Sequence, residues 1–306
     1  MEPGTDRRMP PPSSLSGSLR RWLDTPEEER RPAPAKPSAT VMLLREAGEG
    51  DVAPASAGAP GEVEVFILRR AAGMAFAAGM IAFPGGGVDP RDADPALPWA
   101  GPSPVEWAEQ MGVDEATARE LVVAAAREVF EECGVLLAGA SSDTVVDDLT
   151  DPSWDREREG LLDRSQSFAQ MLTRLGLVLR TDLLALRAHW ITPVFEPKRY
   201  DTRFFAARMP VGQVADDRSS EAEITLWTTP GRLLQALAAG EEIMLPPTRV
   251  MLEQLSHVDD LDAWLATPVP VHPVQPFIVD GPDGPVMRVP VDAEGHGVPA
   301  AAREEA

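Results

Sequence analysis

Between positions 127 and 135 the chain reads Arg-Glu-Val-Phe-Glu-Glu-Cys-Gly-Val. Glu128, Glu131 and Glu132 stand at i, i+3 and i+4, positions that share one face of an α-helix. Three carboxylates so placed repel one another and weaken the helix that carries them. A divalent cation held between them reverses the sign of that interaction. Arg127 adds a guanidinium able to orient a carboxylate through a bidentate pair, and Gly134 is suited to end the helix. A solvated acidic face with ordinary ion pairs is the plain alternative.

The chain has 306 residues, 49 acids against 28 bases, and a net charge of -21 at pH 7. Such a surface repels polyanions, so nucleic acid and anionic membranes are not expected partners. An anionic substrate would then need a metal or local arginines to hold it. With 43% hydrophobic residues the chain can build one sizeable core plus appendages. Cys133 is the single cysteine, so no intramolecular disulfide forms, which fits a reducing compartment such as the cytoplasm. No run of about 18 apolar residues appears, and the N-terminus lacks the apolar centre of a signal peptide. A homodimer is compatible with this composition.

Residues 1–37 are rich in Pro, Ser and Arg and read as a disordered tail, with a helix start signal at Thr25-Pro26-Glu27. Strands are expected over 39–44, 62–69 and 80–83, with a Gly/Ala/Pro-rich loop over 48–61. Pro84-Gly85-Gly86-Gly87 breaks the sheet. Residues 89–112 read as irregular, and a long helix runs from an Asp114 N-cap to Cys133. Residues 153–184 read as helical. Further strands are expected at 185–192, 202–209 and 224–228, and helices at 230–239, 248–257 and 260–265. A Pro-rich extension over 266–306 carries a turn signal at 280–284. Mixed strands with helices on both sides point to an α/β/α sandwich.

The stretch from Arg127 to Val135 resembles the second half of the Nudix box, Gly-x5-Glu-x7-Arg-Glu-apolar-x-Glu-Glu-x-Gly-apolar. The first half is not contiguous with it. Gly87 lies 40 positions before Arg127 where the box places 14, so about 26 extra residues sit inside, most simply between Val88 and Asp114. No clean equivalent of the early glutamate emerges; Glu120 lies seven before Arg127, where the family has one eight before. A long insert here is similar to a Nudix branch that includes CoA and acyl-CoA diphosphatases. Phe83-Pro84-Gly85-Gly86, Val88-Asp89, Trp99 and the run to Leu137 match it. So does a second block, Trp190-Ile191-Thr192-Pro193 with Arg199 to Phe205. The resemblance implies a Nudix domain over about 38–265 with insertions at about 89–113 and 140–184.

It also implies metal-dependent hydrolysis of a diphosphate linkage in a nucleotide derivative, with Mg²⁺ or Mn²⁺ as cofactor. CoA or acyl-CoA is the leading small-molecule substrate, giving 3′,5′-ADP and (acyl) 4′-phosphopantetheine. ADP-ribose, NADH or a nucleoside triphosphate are alternatives on the same chemistry, and a non-hydrolysing nucleotide sensor is a rival of another class. Glu131 and Glu132 are the expected metal ligands. Glu128 is a further ligand or the general base, and Arg127 orients a glutamate. A carbonyl of Gly86 or Gly87 is expected on the metal, and the resemblance implies a further acid from a distant loop, for which Glu221 and Glu223 are the candidates. Arg69, Arg70, Lys198, Arg199 and Arg203 are candidates for substrate phosphates, with Gly86 offering close backbone approach. Trp190, Trp99 and Phe76 are candidates for stacking on a base. Cys133 reads as a buried or semi-buried thiol, and the histidines show no metal-ligand spacing.

Overall fold

A computed structural model describes residues 7–9, 16–48, 58–59, 61–71, 77–216, 222–282 and 284–299. The chain opens with β1 (Arg7–Met9), α1 (Ser16–Asp24), β2 (Ala35–Glu46), β3 (Val63–Arg70), β4 (Ile81–Ala82) and β5 (Gly85–Gly87). The insert region carries β6 (Trp99–Ala100) and α2 (Pro104–Met111), followed by α3 (Glu115–Cys133), β7 (Ala138–Gly139), α4 (Pro152–Leu162), α5 (Phe168–Leu175) and β8 (Val178–Arg180). Then come β9 (Ala185–Ile191), β10 (Arg199–Arg208), β11 (Ala222–Thr228), α6 (Pro230–Ala239), α7 (Pro246–Leu255) and α8 (Leu261–Ala266). The chain closes with β12 (Pro273–Val274), β13 (Phe277–Gly281) and β14 (Gly284–Val289). Among the described residues no helix is long and apolar enough to cross a membrane.

The main sheet is mixed, in the order β11–β3–β2–β10–β9–β12, with β4 beside β3 and β5 beside β2. β2 and β10 run parallel, while β2–β3 and β9–β10 are antiparallel. Strand alternation sorts the two faces. Ala39, Val41 and Leu43 go under α3 with Phe205, meeting Leu121, Val122, Ala125 and Val129. Met42 and Leu44 face the other way with Ile67 and Phe204, meeting Leu233, Val250, Met251 and Leu255. Helices on both faces make the α/β/α sandwich expected from the sequence. Burying each large aliphatic side chain in these layers contributes about 1.5–3 kcal/mol.

A third core lies on the far side of α3. There Val123, Ala126 and Phe130 meet Leu97, Leu136, Leu161, Phe168, Leu172 and Leu179 from the inserted segments. α3 is therefore covered on two sides, which is why its middle, Leu121 to Ala126, is apolar all round. A helix with that burial is held still, and it carries the acids.

Several expected elements differ. The segment read as irregular contains α2, announced by a capping box in which Ser103 accepts from the Glu106 amide and the Glu106 carboxylate accepts from the Ser103 amide. The 153–184 stretch splits into α4, α5 and β8, because Ser167 opens a second capping box and Gly176 ends α5 in the left-handed conformation. Within the 1–37 segment read as a tail, α1 buries Leu19 against Phe195, and β1 pairs with β14. Residues 1–6 and 10–15 lie outside the described residues, as does most of the 48–61 loop. The turn signal at 280–284 forms the β13–β14 hairpin. Met287 and Val289 from that hairpin join the core, so the described part of the Pro-rich extension is packed against the sheet.

Candidate active site

α3 begins at Asp114, whose carboxylate accepts from the Thr117 amide at 3.0 Å. It ends at Gly134, left-handed at φ 68°, whose amide donates to Phe130 O at 3.0 Å. This places Glu128, Glu131 and Glu132 in the final turns. β5 runs beside β2, with Ala39 opposite Gly86 and Ser38 opposite Gly87. The glycines are required by proximity. A Cβ on Gly86 would fall 2.5 Å from Glu128 Oε1, and one on Gly85 would fall 2.4 Å from Ala39 O. The side-chain-free strand lets sheet and acidic helix close on each other.

Arg127 organises the site. Its Nε donates to Asp92 Oδ1 at 2.9 Å and its Nη2 to Asp92 Oδ2 at 3.0 Å. Nη2 also donates to Gly87 O at 2.9 Å. Nη1 donates to Glu128 Oε1 at 2.8 Å and to Glu131 Oε2 at 3.2 Å. These five bonds use every N–H a guanidinium has. Glu132 turns the other way and accepts from the Gly85 amide at 2.7 Å. Arg158 on α4 donates Nε to Glu131 O at 2.7 Å and Nη1 to Asp216 at 2.6 Å. It satisfies a carbonyl in the last turn of α3 and ties the insert to the acidic turn.

The electrostatics follow from burial. Asp92, Glu128 and Glu131 crowd one guanidinium, leaving an excess of negative charge. Burial pushes the Glu128 carboxyl up to about 7, against the pull of Arg127. Burial likewise raises Glu131. For Arg127 burial opposes the charge, but Glu128 and Asp92 more than offset it, and its pKa is raised. Burial and the neighbouring Asp92 charge raise Glu120, two turns earlier on the same helix.

A cleft of about 730 Å³ opens onto this cluster. Arg127, Glu128, Glu131, Gly86, Gly87 and Arg70 line it, as do Lys198 and Trp190. Three expected phosphate contacts fall elsewhere. Arg69 is paired with Glu242. Arg199 is buried and donates to Thr192 O and Ala33 O. Arg203 is paired with Asp201. Each sits in a strand whose own register turns the guanidinium into protein partners, which a sequence does not display. Trp99 packs against the α3 side, under the Arg119 guanidinium. Glu223 is exposed and does not line the cleft, and Glu221 and Phe76 lie outside the described residues. Cys133 is fully buried, as expected, and burial raises its thiol. His189 bonds to Asp201 at 2.6 Å, a structural contact.

Asp92 and Arg158 were missed. Asp92 is 2% exposed and sits in a short turn whose capping box, Asp89 to Asp92, is legible as Asp-Pro-Arg-Asp. It also lies six positions after Gly86, so counting forward from the glycines instead of back from Arg127 would have found it. Arg158 carries no local signal.

As a candidate cation site, the donor set is all oxygen, which suits a hard divalent ion. Among the described residues no three His, Cys, Asp or Glu side chains already converge as a ligand cage. The acids instead share Arg127 and the Gly85 amide. A hard ion such as Mg²⁺ takes one or two carboxylates and keeps waters, so the buried excess of negative charge fits it.

Comparison with known proteins agrees with this geometry. The family model of the NUDT19 Nudix domain matches residues 106–255. A Caenorhabditis elegans protein named "Putative nudix hydrolase 7" is 26% identical over 198 residues, 65% of this chain. The chain spans 57% of that protein's length. The crystal structure of a NUDIX hydrolase from Alicyclobacillus acidocaldarius superposes with a TM-score of 0.64 at 27% identity, covering 78% of this chain and 98% of that one. With the glycine strand set against an Arg-Glu-x-x-Glu-Glu helix end, the chain is similar to Nudix hydrolases both in the matched domain and in fold.

Proposed function

We propose that the cleft hydrolyses a diphosphate linkage in a nucleotide derivative with the aid of Mg²⁺ or Mn²⁺. The observation that carries this reading is the Arg127 hub. One buried guanidinium holds Asp92, Glu128, Glu131 and the Gly87 carbonyl around the mouth of a cleft. Glu131, Glu128 and Gly87 line that cleft, and Glu132, which accepts from the Gly85 amide, is a further ligand beside them. The bound ion would neutralise diphosphate oxygens and lower the pKa of a water. Asp92, rather than Glu120, is the acid that the first half of the box calls for, and the insertion then falls between Asp92 and Arg127.

Glu128, with a carboxyl near 7, is placed to take the proton as a water oxygen attacks phosphorus. The P–O bond to the leaving phosphate breaks as the new bond forms. Arg127 fixes the Glu128 carboxylate, so it is a positioning residue. Arg158 fixes the backbone of Glu131.

CoA or acyl-CoA is the proposed substrate. The Phe83-Pro84-Gly85-Gly86 block, the insertion and the matched NUDT19 Nudix domain support it. Leu161, Leu162, Met80 and Pro246 give the cleft an apolar wall beside the acids, which suits a substrate longer than a bare nucleotide. The test is a product assay on CoA, an acyl-CoA, ADP-ribose, NADH and dGTP with Mg²⁺ or Mn²⁺. Release of 3′,5′-ADP from CoA is expected, and Glu131→Gln should lower it by about 10²-fold. Cleavage of another member alone displaces CoA as substrate, and no cleavage of any overturns the hydrolase reading.

A further inference from the structure

Four helices of this chain end on a left-handed glycine: Gly112 after α2, Gly134 after α3, Gly176 after α5 and Gly240 after α6. α4 does not. Its C-cap is Asp163, and the left-handed position that follows is filled by Arg164, at φ 64°. Ala77 is the other non-glycine residue with positive φ among the described residues. A side chain there is strained against its own backbone, and glycine would remove the strain. Attraction of a guanidinium to a helix C-terminus is the plain account of such an arginine. That attraction does not need the strained position: α5 carries Arg174 within its last turn and still ends on a left-handed glycine.

Contacts on either side hold the strained turn. The Arg164 amide donates to Leu161 O at 3.1 Å, and the Ser165 amide to Asp163 Oδ1 at 2.8 Å. Arg91 Nη1 donates to Arg164 O at 3.1 Å and to Gln166 O at 2.9 Å. Arg91 is itself gripped at two points by Asp89, Nε to Oδ1 at 2.9 Å and Nη2 to Oδ2 at 3.0 Å. Asp89 shares a capping box with Asp92, the acid that grips Arg127. A polar chain therefore runs from the acidic hub to the backbone of Arg164. A strained residue that its surroundings over-determine points to a functional position.

The side chain is left over from this scaffold. It is 76% exposed, and its ion-pair contact, Asp89 Oδ2, lies 3.8 Å away, beyond hydrogen-bond range and already bonded by Arg91. Arg164 lines the cleft beside Glu131 and Leu162. The other arginines considered for phosphate leave room for it. Arg127 has no N–H to spare, and Arg69, Arg199 and Arg203 are turned onto protein partners.

We infer that Arg164 is a substrate-binding residue contributed by the α4–α5 turn, and that its guanidinium folds onto the diphosphate held at Glu131 and bonds to oxygens of that group. The inference rests on the hydrolase reading of the cleft and deepens it, since it puts a cation from outside the acidic helix on the reacting group itself. There the charge offsets the negative charge that grows on the leaving phosphate.

The test compares the full chain with its Arg164→Gly variant by thermal unfolding and by calorimetric titration with methylenediphosphonate, a diphosphate mimic with a non-hydrolysable bridge, in the presence of Mg²⁺. The variant should melt at the parent temperature or about 2 °C above it, as relief of left-handed strain requires. It should bind the probe at least about tenfold more weakly, the loss of a charge-assisted pair. A lower melting temperature would show that the arginine serves the fold and would overturn the inference. Equal probe binding by parent and variant, or no binding by the parent, would overturn it as well. Turnover is read only in the product assay, so cleavage there with unchanged probe binding here removes Arg164 and leaves the hydrolase reading standing.

Discussion

Gly86→Ala separates the position of Glu128 from the stability of the fold. Gly86 is not among the glycines with positive φ, so alanine is allowed by its backbone. Its Cβ, however, would lie 2.5 Å from Glu128 Oε1, 2.6 Å from Cδ and 2.7 Å from Oε2. An ordinary carbon–oxygen contact is about 3.3 Å, so the carboxylate must retreat by roughly 0.8 Å. Only the end of a flexible side chain has to move, and overpacking of about 1 kcal/mol is partly offset by the smaller unfolded-state entropy of alanine. The retreat nonetheless pulls Glu128 from its 2.8 Å bond to Arg127 and from its place at the cleft. A misplacement near 1 Å can cost about 10²-fold in rate. The expected variant therefore unfolds within about 1 kcal/mol of the parent in denaturant yet loses about 10²-fold of kcat. Parent-like turnover in a folded Gly86→Ala protein would refute the reasoning, because Glu128 would then not need its observed position.

Two further outcomes follow from the same cluster. Asp92→Asn removes the charge that grips Arg127 at two points and should destabilise by about 3 kcal/mol, read from the denaturation midpoint; a change below about 0.5 kcal/mol would show that Glu128 and Glu131 hold the guanidinium unaided. The Glu128 carboxyl is raised from 4.5 to about 7, so its contribution to stability is complete below 4.5 and is lost as pH rises through 7. Metal-free protein should for this group alone be less stable at pH 8 than at pH 5 by about 2.5 kcal/mol, a difference that Glu128→Gln flattens. Mg²⁺ should then raise the melting temperature more at pH 8, where the carboxylate is ionised; an equal rise at both pH values counts against Glu128 as the titrating group.

The layers and the acidic turn were legible because short-range rules decide them. Strand alternation along β2 and the Asp114 and Gly134 caps of α3 needed no tertiary information. The Arg-Glu-x-x-Glu-Glu spacing is itself a statement about one helix face. What could not be read depends on register and on distance in space. Arg69 and Arg199 look alike in sequence to Arg70, yet Glu242 claims the first and two carbonyls the second. Lys36 lay at the end of a segment whose proline and arginine content suggests a tail, and only its pairing beside Tyr200 brings it to the cleft. The capping-box signals at Ser103 and Asp89 are present and local, and they mark α2 and the Asp92 turn.

The interrupted box also shows why contiguity is not what the chemistry needs. If Asp92 is the early acid, 35 positions separate it from Arg127, where an uninterrupted box has eight. The closure entropy of a loop grows only as the logarithm of its length, so the longer connection costs about 1 kcal/mol more. The inserted chain is not slack, either. β6 pairs with β8, α2 seats Trp107 edge-on to Phe205, and Leu97 joins the core on the far face of α3. Each fully buried side chain of that size contributes about 1.5–3 kcal/mol, which outweighs the added loop entropy. Asp92 is thus delivered to Arg127 by a packed segment whose two ends are both fixed. An insertion that forms its own core against α3 stiffens the helix presenting Glu128 and Glu131, whereas an unstructured one of equal length would leave only the polar contacts of Arg127 and Glu132 to hold the two halves.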